Sequence, residues 1–374
     1  MVVYLKKPPS FTLQWHITER CNWHCKHCYQ FDEDNKEELS TKQLFQVLEQ
    51  YVFLIRKWGI PKNSARLNIT GGEPFVREDF FELLERIGSY SNLFKWGLLS
   101  NGSFMTEEIA KKLKSLNLFR CQVSLEGCEK VNDEIRGEGS FKKVIDAIKI
   151  LVKEGITTSV SVSLAKHNMN DIPKLVEVLY NSGASYISTR RIIPYGRGFE
   201  FRNSLLKPVE LKNYYLFTQE KNKELNKKGI RFRIGIGCES GIFNDERFSP
   251  SHKNHCGIVN GRVLIVMANG EVLACRRVPI VMGNVLDQSL FEIWYSSNKL
   301  WEMRNLNNAH VFCQKCPNFN GCFGGAKCVT YTYSNELFVP DVQCWKFYKN
   351  LENPEFYHKL KPDLSRELKM TNCG

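Results

Sequence analysis

Short apolar segments alternate with helical patterns through the first part of the chain. Residues 11–18 alternate apolar and polar side chains, which is typical of a strand with one buried face. Five further strands are predicted at 66–70, 95–100, 119–125, 157–164 and 186–193. Six strands that alternate with helices predict a parallel sheet of the α/β class.

The helices between these strands carry start signals. Residues 40–43 (Ser-Thr-Lys-Gln) resemble a capping box that opens a helix. Its apolar positions at helical spacing are Leu44, Val47, Leu48, Tyr51 and Ile55. Thr106 is predicted to cap a helix that runs to about 116, and Ser140 one that runs to about 153. Two more helices are predicted at 170–181 and 209–228, and the second of these closes the first domain.

The pattern changes after residue 231. A segment rich in β-forming residues, 263–267, precedes Asn269-Gly270, a strong signal for a two-residue hairpin. The returning strand 271–274 places Cys275 near the start of its partner. With 374 residues the chain is long enough for two domains, and we predict domains at 1–230 and 231–350 and a tail at 351–374.

Composition narrows the function classes. Hydrophobic residues make up 43% and charged residues 25%, as in ordinary folded proteins. The net charge of +12 is spread along the chain, so we predict a well-solvated basic surface and no nucleic-acid partner. Residues 1–7 are too short and too charged for a signal peptide, and no apolar run is long enough for a bilayer. A cytoplasmic location without membrane attachment is expected.

Fourteen cysteines are many for such a chain, and in a reducing compartment clustered cysteines more often bind metal than form disulfides. Cys21, Cys25 and Cys28 have C-x3-C-x2-C spacing. Three thiolates can hold three corners of a cubane iron–sulfur cluster and leave one iron open for chemistry, whereas a fourth cysteine would favour an electron carrier. A zinc site is the alternative, with His24 or His27 as fourth ligand.

A glycine-rich turn follows the second strand. Gly71-Gly72-Glu73-Pro74 lets the backbone approach a ligand closely. No Walker lysine and Ser/Thr follow it, so phosphate binding is not expected.

The cysteine loop resembles the signature of the radical S-adenosylmethionine (radical SAM) enzymes, C-x3-C-x-aromatic-C, with His27 in the aromatic position. The resemblance implies a partial (β/α)6, TIM-like barrel that is open on one side. It also implies a 4Fe-4S cluster whose open iron chelates S-adenosylmethionine. Reductive cleavage would then give a 5′-deoxyadenosyl radical that removes a hydrogen atom from the substrate.

The resemblance also implies cofactor-binding residues. In the family, the motif matching Gly71, Gly72 and Glu73 binds the amino group of the methionine moiety. Ser124 matches a ribose contact, in a stretch where Glu126 replaces the commoner Asp. Arg136 would pair with the methionine carboxylate, a surface salt bridge being its alternative. His27 and Asn101, which ends the third strand, complete the predicted set.

A second set of cysteines resembles the SPASM extension of this family, which usually holds two auxiliary 4Fe-4S clusters. By matching positions, one cluster would be bound by Cys313, Cys316, Cys322 and Cys344. The other would be bound by Cys256, Cys275 and Cys328, with Cys238 or an open iron as the fourth position. Five residues separate Cys322 from Cys328 where the family commonly has three, so a bulged loop is expected. The cysteines that match nothing are predicted to be structural or free thiols: Cys121, Cys128 and Cys373.

A radical left on the substrate must lose an electron when a new bond forms, and auxiliary clusters can accept it. We therefore predict oxidative modification of a peptide, such as a thioether or C–C cross-link. The alternatives are modification of a tetrapyrrole or other small molecule, sulfatase maturation, and a metal scaffold without activity. Sulfatase-maturing members usually have Asp beside the cysteine matching Cys275, where this chain has Arg276-Arg277.

The predicted partners follow from that chemistry. A flavodoxin or ferredoxin would supply electrons. About 20 residues precede Cys21, too few for a leader-binding domain, so a separate protein or the basic surface would bind a leader peptide.

Overall fold

The computed structural model describes residues 7–29, 37–236 and 256–347. The strands in these ranges are β1 (Phe11–His16), β2 (Ala65–Thr70), β3 (Lys95–Leu99), β4 (Arg120–Ser124), β5 (Thr157–Leu164), β6 (Tyr186–Arg191), β7 (Arg233–Ile236), β8 (Val263–Val266), β9 (Glu271–Cys275) and β10 (Val278–Asn284). The helices are α1 (Thr41–Trp58), α2 (Phe80–Gly88), α3 (Glu107–Ser115), α4 (Glu129–Arg136), α5 (Ser140–Lys153), α6 (Ile172–Asn181), α7 (Pro208–Lys227), α8 (Gly257–Asn260), α9 (Leu290–Ser296), α10 (Asn298–Arg304), α11 (Val311–Gln314), α12 (Phe319–Cys322) and α13 (Lys327–Ser334).

All described strands belong to one sheet in the order β10-β9-β8-β1-β2-β3-β4-β5-β6-β7. The pairs from β8 through β1 to β7 are parallel, and β9 and β10 add antiparallel strands at one edge. The predicted α/β class and the six predicted strands are confirmed, with strand ends within two residues. The predicted hairpin is also confirmed, but it extends the barrel sheet, because Thr12 to Trp15 of β1 pair with Val263 to Val266 of β8.

The two faces of the sheet have different chemistry. On β1, Phe11 and Leu13 are buried against the helices, where the ring of Phe11 packs against Tyr51 and Trp58 of α1. Thr12 and Gln14 alternate with them and line a cavity on the concave side. Burial of each large apolar side chain contributes about 1.5–3 kcal/mol, so the helix-facing side of β1 stabilises the sheet. The cavity-facing side of β1 carries the polar Thr12 and Gln14.

The helix starts follow the predicted signals with one exception. Ser40 and Gln43 form the capping box of α1, and Thr106 caps α3. Ser140, predicted as a cap, is instead the first residue of α5, and Gly139 occupies the cap position at a φ of 71°. The prediction was wrong because Asp133 supplies the capping carboxylate: it accepts hydrogen bonds from the backbone N–H groups of Gly139 and Phe141 at 2.7 Å each.

In the described ranges no helix has the length and hydropathy needed to cross a membrane.

Candidate active site

The predicted cluster loop leaves the C-terminal end of β1, at the edge of the sheet where ligand sites occur in parallel α/β folds. Cys21, Cys25 and Cys28 all line one cavity of about 550 Å3. Two backbone contacts fix the loop: Lys26 N–H donates to the carbonyl of Ile135 on α4, and the Cys28 carbonyl accepts from Gly198 after β6, both at 2.9 Å.

The Gly71-Gly72 turn lies directly against this loop. Gly72 N–H donates to the Thr18 carbonyl and Glu73 N–H to the Arg20 carbonyl, each at 2.9 Å. A Cβ on Gly71 would lie 2.3 Å from the Thr18 carbonyl oxygen, and one on Gly72 would lie 2.2 Å from that of Arg20. Both positions therefore exclude side chains, and both glycines line the cavity.

Glu73 lies behind the cavity wall. It is fully buried and is absent from the residues that line the cavity. Its carboxylate accepts from the Asn101 N–H at 2.6 Å and from the Ser100 hydroxyl at 2.9 Å. Burial raises the pKa of Glu73 to about 7, against the opposing effect of these hydrogen bonds. The structure thus gives Glu73 a direct role in joining the glycine turn to the end of β3.

Asn101 and Ser124 lie on the cavity wall. The Asn101 amide donates to the Asn22 side chain at 2.8 Å, and its nitrogen is 3.9 Å from the Cys21 sulfur. Ser124 ends β4 on the concave face. Asn101 therefore lies beside the cysteine loop, and Ser124 lies on the wall of the same cavity.

Glu126 connects two of the predicted residues. Its Oε1 accepts from His27 Nε2 at 2.9 Å and from Arg136 through both Nε and Nη2, while its Oε2 accepts from the Ser163 N–H at 2.8 Å. Burial opposes ionisation of Glu126, but His27 and Arg136 outweigh it and hold the pKa at about 2.

Arg136 is half-buried, and it makes an ion pair with the buried Glu126 at the cavity wall rather than with a partner on the open surface. Its side chain is 11% exposed. Nη1 lies 3.7 Å from the Cys25 sulfur, and Arg136 lines the cavity. Its pairing with a bound carboxylate stays a prediction. One signal in the sequence indicated that Glu126 pairs with Arg136: within residues 124–127, Glu126 stands where the family commonly has Asp.

The cysteines of the first auxiliary set lie close together, and their role as cluster ligands stays a prediction. Cys256, Cys275 and Cys328 line the same cavity as the cluster loop. A hydrogen bond with Cys328, burial and the Cys256 thiolate raise the pKa of Cys275 well above its usual value. The hairpin places Cys275 at the end of β9, and Cys328 is in the first turn of α13. Cys238, the candidate fourth ligand, lies outside the described residues, as does Cys373.

The second auxiliary set also comes together. Burial raises the pKa of Cys313 to about 11, and the neighbouring Cys344 and Cys316 add to the shift. Burial likewise raises the pKa of Cys322 to about 12, with contributions from Asp341, Cys344 and Cys313. Of the two remaining described cysteines, Cys121 is buried on β4 and Cys128 precedes α4, both as free thiols.

The predicted bulge between Cys322 and Cys328 is present. Phe323, Gly324 and Gly325 take φ values of 54°, 80° and 87°. Glycine adopts this left-handed conformation without steric cost, whereas it is uncommon for a bulky residue such as Phe323. A Cβ on Gly325 would lie 2.3 Å from that of Asp341. The segment between Cys322 and Cys328 thus forms a tight turn against Asp341.

Sequence reasoning missed the residues that hold these sets in place. Arg191 at the end of β6 makes a two-pronged ion pair with Asp341, at 2.8 and 2.9 Å, and Asp341 also accepts from the Ala326 N–H. Arg276, beside Cys275, pairs with Glu19 at 3.3 Å and lies 5.2 Å from the centre of the Tyr29 ring. The partners are far apart in sequence, so no local pattern signals them.

The donor sets fit iron–sulfur clusters. Thiolates ligate such clusters, and N–H groups that donate hydrogen bonds to the sulfurs adjust the reduction potential of the cluster. The Asn101 amide and the Arg136 guanidinium lie beside Cys21 and Cys25, and the bare Gly71-Gly72 backbone leaves room for a ligand. Within the described residues, no three His, Cys, Asp or Glu side chains meet closely enough to hold a single metal ion.

Comparison with known proteins agrees with this geometry. Residues 15–179 match the radical SAM superfamily, and residues 256–317 match an iron–sulfur cluster-binding domain called SPASM. The mycofactocin maturase MftC of Mycolicibacterium smegmatis is 28% identical over 342 residues, which are 89% of this chain and 82% of that protein. The AdoMet-dependent heme synthase of Methanosarcina barkeri is 25% identical over 350 residues, 89% of this chain and 95% of that protein.

Among solved structures, Streptococcus suis SuiB bound to its precursor peptide SuiA has a similar fold. The TM-score is 0.71 at 17% identity, and the match covers 90% of this chain and 76% of SuiB. This similarity confirms the predicted combination of a barrel with a C-terminal cysteine-rich region.

Proposed function

Because this chain carries a radical SAM domain followed by a SPASM domain, we propose that it is an enzyme that oxidatively modifies a peptide. One observation supports this most directly. The cluster loop and the first auxiliary set, Cys256, Cys275 and Cys328, line the same cavity of about 550 Å3. A substrate held there lies between the group that starts the reaction and a group that can accept the released electron. When bound, the cluster on the first loop supplies the electron that cleaves S-adenosylmethionine to the hydrogen-abstracting radical.

The residues of the chain bind and orient the reactants. We propose that the Gly71-Gly72 backbone binds the methionine amino group, that Arg136 binds its carboxylate and that Ser124 contacts the ribose. Glu126 keeps Arg136 and His27 fixed beside Cys25, and Glu73 joins the glycine turn to the residues that follow β3. Preorganised groups of this kind lower the cost of reaching a reactive geometry.

The peptide class is supported by the relatives. MftC is a maturase, and SuiB was solved with a precursor peptide. The similarity to a heme synthase favours a tetrapyrrole as the second candidate. Tight binding of a porphyrin, seen as a shift of its absorption band, would favour that candidate. A reducing protein such as a flavodoxin or ferredoxin, a separate leader-binding protein and a cytoplasmic location complete the proposal.

Two variants test the assigned roles under anaerobic conditions. Cys25→Ala is expected to abolish 5′-deoxyadenosine formation. Cys316→Ala is expected to keep uncoupled deoxyadenosine formation and to lose modified peptide, measured by mass spectrometry with peptides encoded beside this gene. Full product from Cys316→Ala would remove the auxiliary clusters from the reaction. A protein that binds iron but releases no deoxyadenosine would overturn the proposal.

A further inference from the structure

Among the described residues that line the cavity, the acidic and basic side chains that are always charged are all positive. Eight of the described residues that line the cavity are arginines, and none of the described lining residues is aspartate or glutamate. Arginine guanidinium groups are the preferred protein partners of carboxylates. The chain itself satisfies three of these arginines: Arg136 pairs with Glu126, Arg191 with Asp341, and Arg276 with Glu19.

Arg120 and Arg190 differ from those three. Arg120 begins β4 and is half-buried on the concave face, and Arg190 lies near the end of β6, where its side chain is exposed. Neither side chain makes a hydrogen bond or ion pair with the described part of the chain. Burial lowers the pKa of Arg120 most, and the charges of Arg66 and then Arg190 lower it further, so Arg190 lies within electrostatic range of Arg120.

Two positive charges that face one cavity without a counter-ion favour the binding of an anion there and disfavour the binding of a cation. Polar side chains between them, among them Gln122 and Ser161, also line the wall and suit a hydrated, hydrogen-bonding ligand. We infer that the peptide substrate carries a carboxylate, that Arg190 binds it, and that Arg120, nearer the opposite end of the strands, adds positive charge to the same cavity.

This inference rests on the proposed function, since it describes the peptide that the cavity accepts. The carboxylate has two possible sources, an acidic side chain or the C-terminus of the peptide. Three short rhodamine-labelled probes separate them: a glutamate-rich peptide with an amidated C-terminus, its glutamine counterpart, and the glutamine counterpart with a free C-terminus. Binding to the reconstituted protein is measured by fluorescence anisotropy in the presence of S-adenosylmethionine.

The expected result is that at least one carboxylate-bearing probe binds about tenfold more tightly than the amidated glutamine probe, a difference of about 1.4 kcal/mol. Arg190→Gln is expected to remove that preference. Arg56→Gln is the matched control, because it removes one charge from the exposed face of α1, away from the cavity. Iron content checks that each variant is folded and loaded.

Equal binding of all three probes, binding of none, or equal losses in Arg190→Gln and Arg56→Gln would overturn the inference. These outcomes are independent of the proposed reaction. If the wild-type protein formed no deoxyadenosine, the proposed function would be overturned. If it formed deoxyadenosine but did not prefer carboxylate-bearing probes, only the inference about the substrate would be overturned.

A different observation concerns the auxiliary cysteines. Lys327 is 1% exposed, and its Nζ has no hydrogen-bond partner among the described residues. A Cβ built on Gly324 would lie 3.0 Å from this Nζ and 3.8 Å from the Cys313 sulfur, so the Nζ and the sulfur both lie within 4 Å of that position. The next residue, Cys328, belongs to the other set. The ammonium therefore lies near Cys313 of the second set, on the helical turn that also carries Cys328 of the first set.

A buried ammonium without hydrogen bonds is costly, and it offers three donors. Two clusters, each held by several thiolates, bring negative charge that this cation can offset. Hydrogen bonds and net charge around a cluster set its reduction potential. We propose that Lys327 is a positioning residue that donates hydrogen bonds to the auxiliary clusters and raises their reduction potentials.

The test uses full-length protein in which Cys21, Cys25 and Cys28 are replaced by Ala, so that the remaining signals belong to the auxiliary clusters. Lys327→Met is compared with Lys327→Arg, which keeps the charge, and with the exposed control Lys62→Met. Potentiometric titration followed by electron paramagnetic resonance is expected to show lower potentials in Lys327→Met and unchanged potentials in the control.

Loss of iron in Lys327→Met with retention in Lys327→Arg would also support the proposal. Unchanged iron content and unchanged potentials in Lys327→Met would overturn it. Equal loss of iron in Lys327→Met and Lys327→Arg would overturn it too, since the side-chain shape and not the charge would then matter.

Discussion

Arg191 and Asp341 form a fully buried ion pair, with two N–O distances of 2.8 and 2.9 Å and both side chains 1% exposed. The pair connects the end of β6 with the segment that carries Cys344. Gln343 strengthens the connection, because it accepts from Arg191 at 2.9 Å and donates to the Leu206 carbonyl at 2.7 Å. The barrel and the second auxiliary set are thus joined by charge and by hydrogen bonds.

Asp341→Asn should therefore destabilise the protein. Removing one partner of a buried ion pair leaves an uncompensated charge and typically costs about 3–5 kcal/mol. The thermal midpoint of the reconstituted protein should fall by several degrees, and iron bound by the second set should be lost. Asp287→Asn, an exposed carboxylate, is the control and should change neither quantity. An Asp341→Asn protein with wild-type midpoint and iron content would contradict this reading.

Much of the fold could be predicted because its signals are local. The alternation in 11–18, the capping box at Ser40 and the Asn269-Gly270 turn each depend on a few neighbouring residues. The pairing of β8 with β1 depends on two segments about 250 residues apart, and the sequence of neither segment indicates which strand it pairs with. The error at Ser140 has the same origin, since the capping carboxylate of Asp133 reaches the helix from the preceding helix.

In the candidate site, too, the features with local sequence signals could be predicted, whereas the long-range contacts could not. Cysteine spacing and the glycine turn could be recognised in sequence because a cluster loop and a close backbone approach restrict adjacent residues. The partners that fix them could not. The contacts of Glu126 with His27 and Ser163, and that of Arg191 with Asp341, form only when distant segments fold together.

Glu126→Gln should weaken binding of S-adenosylmethionine. The amide cannot carry the charge that holds Arg136, so this guanidinium loses its fixed position beside Cys25. Hydrogen bonds to charged groups contribute about 1.5–3 kcal/mol, so the dissociation constant should rise about tenfold or more. Equilibrium dialysis of labelled S-adenosylmethionine measures it. Glu129→Gln, exposed on the same helix as Arg136, should bind normally; equal binding by both variants would show that Glu126 has no such role.

Gly72→Ala should disrupt the cluster loop. The added Cβ would lie 2.2 Å from the Arg20 carbonyl oxygen, which belongs to the segment just before Cys21, so the loop must move. We expect lower iron content and loss of deoxyadenosine formation. Gly88→Ala is the comparison, because its Cβ would meet the Leu116 carbonyl at 3.3 Å, a contact that small shifts can relieve. Normal iron loading in Gly72→Ala would show that the turn does not constrain the loop.

The pH dependence of stability should depend on Glu73. Its pKa is about 7 in the folded protein because of burial, against an ordinary value of 4.5. The folded state therefore binds more protons than the unfolded state between these values, and the unfolding free energy contributed by Glu73 falls as pH rises through that window. Glu73→Gln cannot ionise, so its thermal midpoint should decline less than that of the wild type between about pH 5 and pH 7.

Glu82→Gln provides the matched control for this measurement, since Glu82 is exposed on α2. Each variant is compared with the wild type at every pH, so acid sensitivity shared by the clusters cancels. A Glu73→Gln profile parallel to the wild type and to Glu82→Gln would mean that Glu73 keeps its charge when folded. The hydrogen bonds from Asn101 and Ser100 would then outweigh the cost of burying that charge.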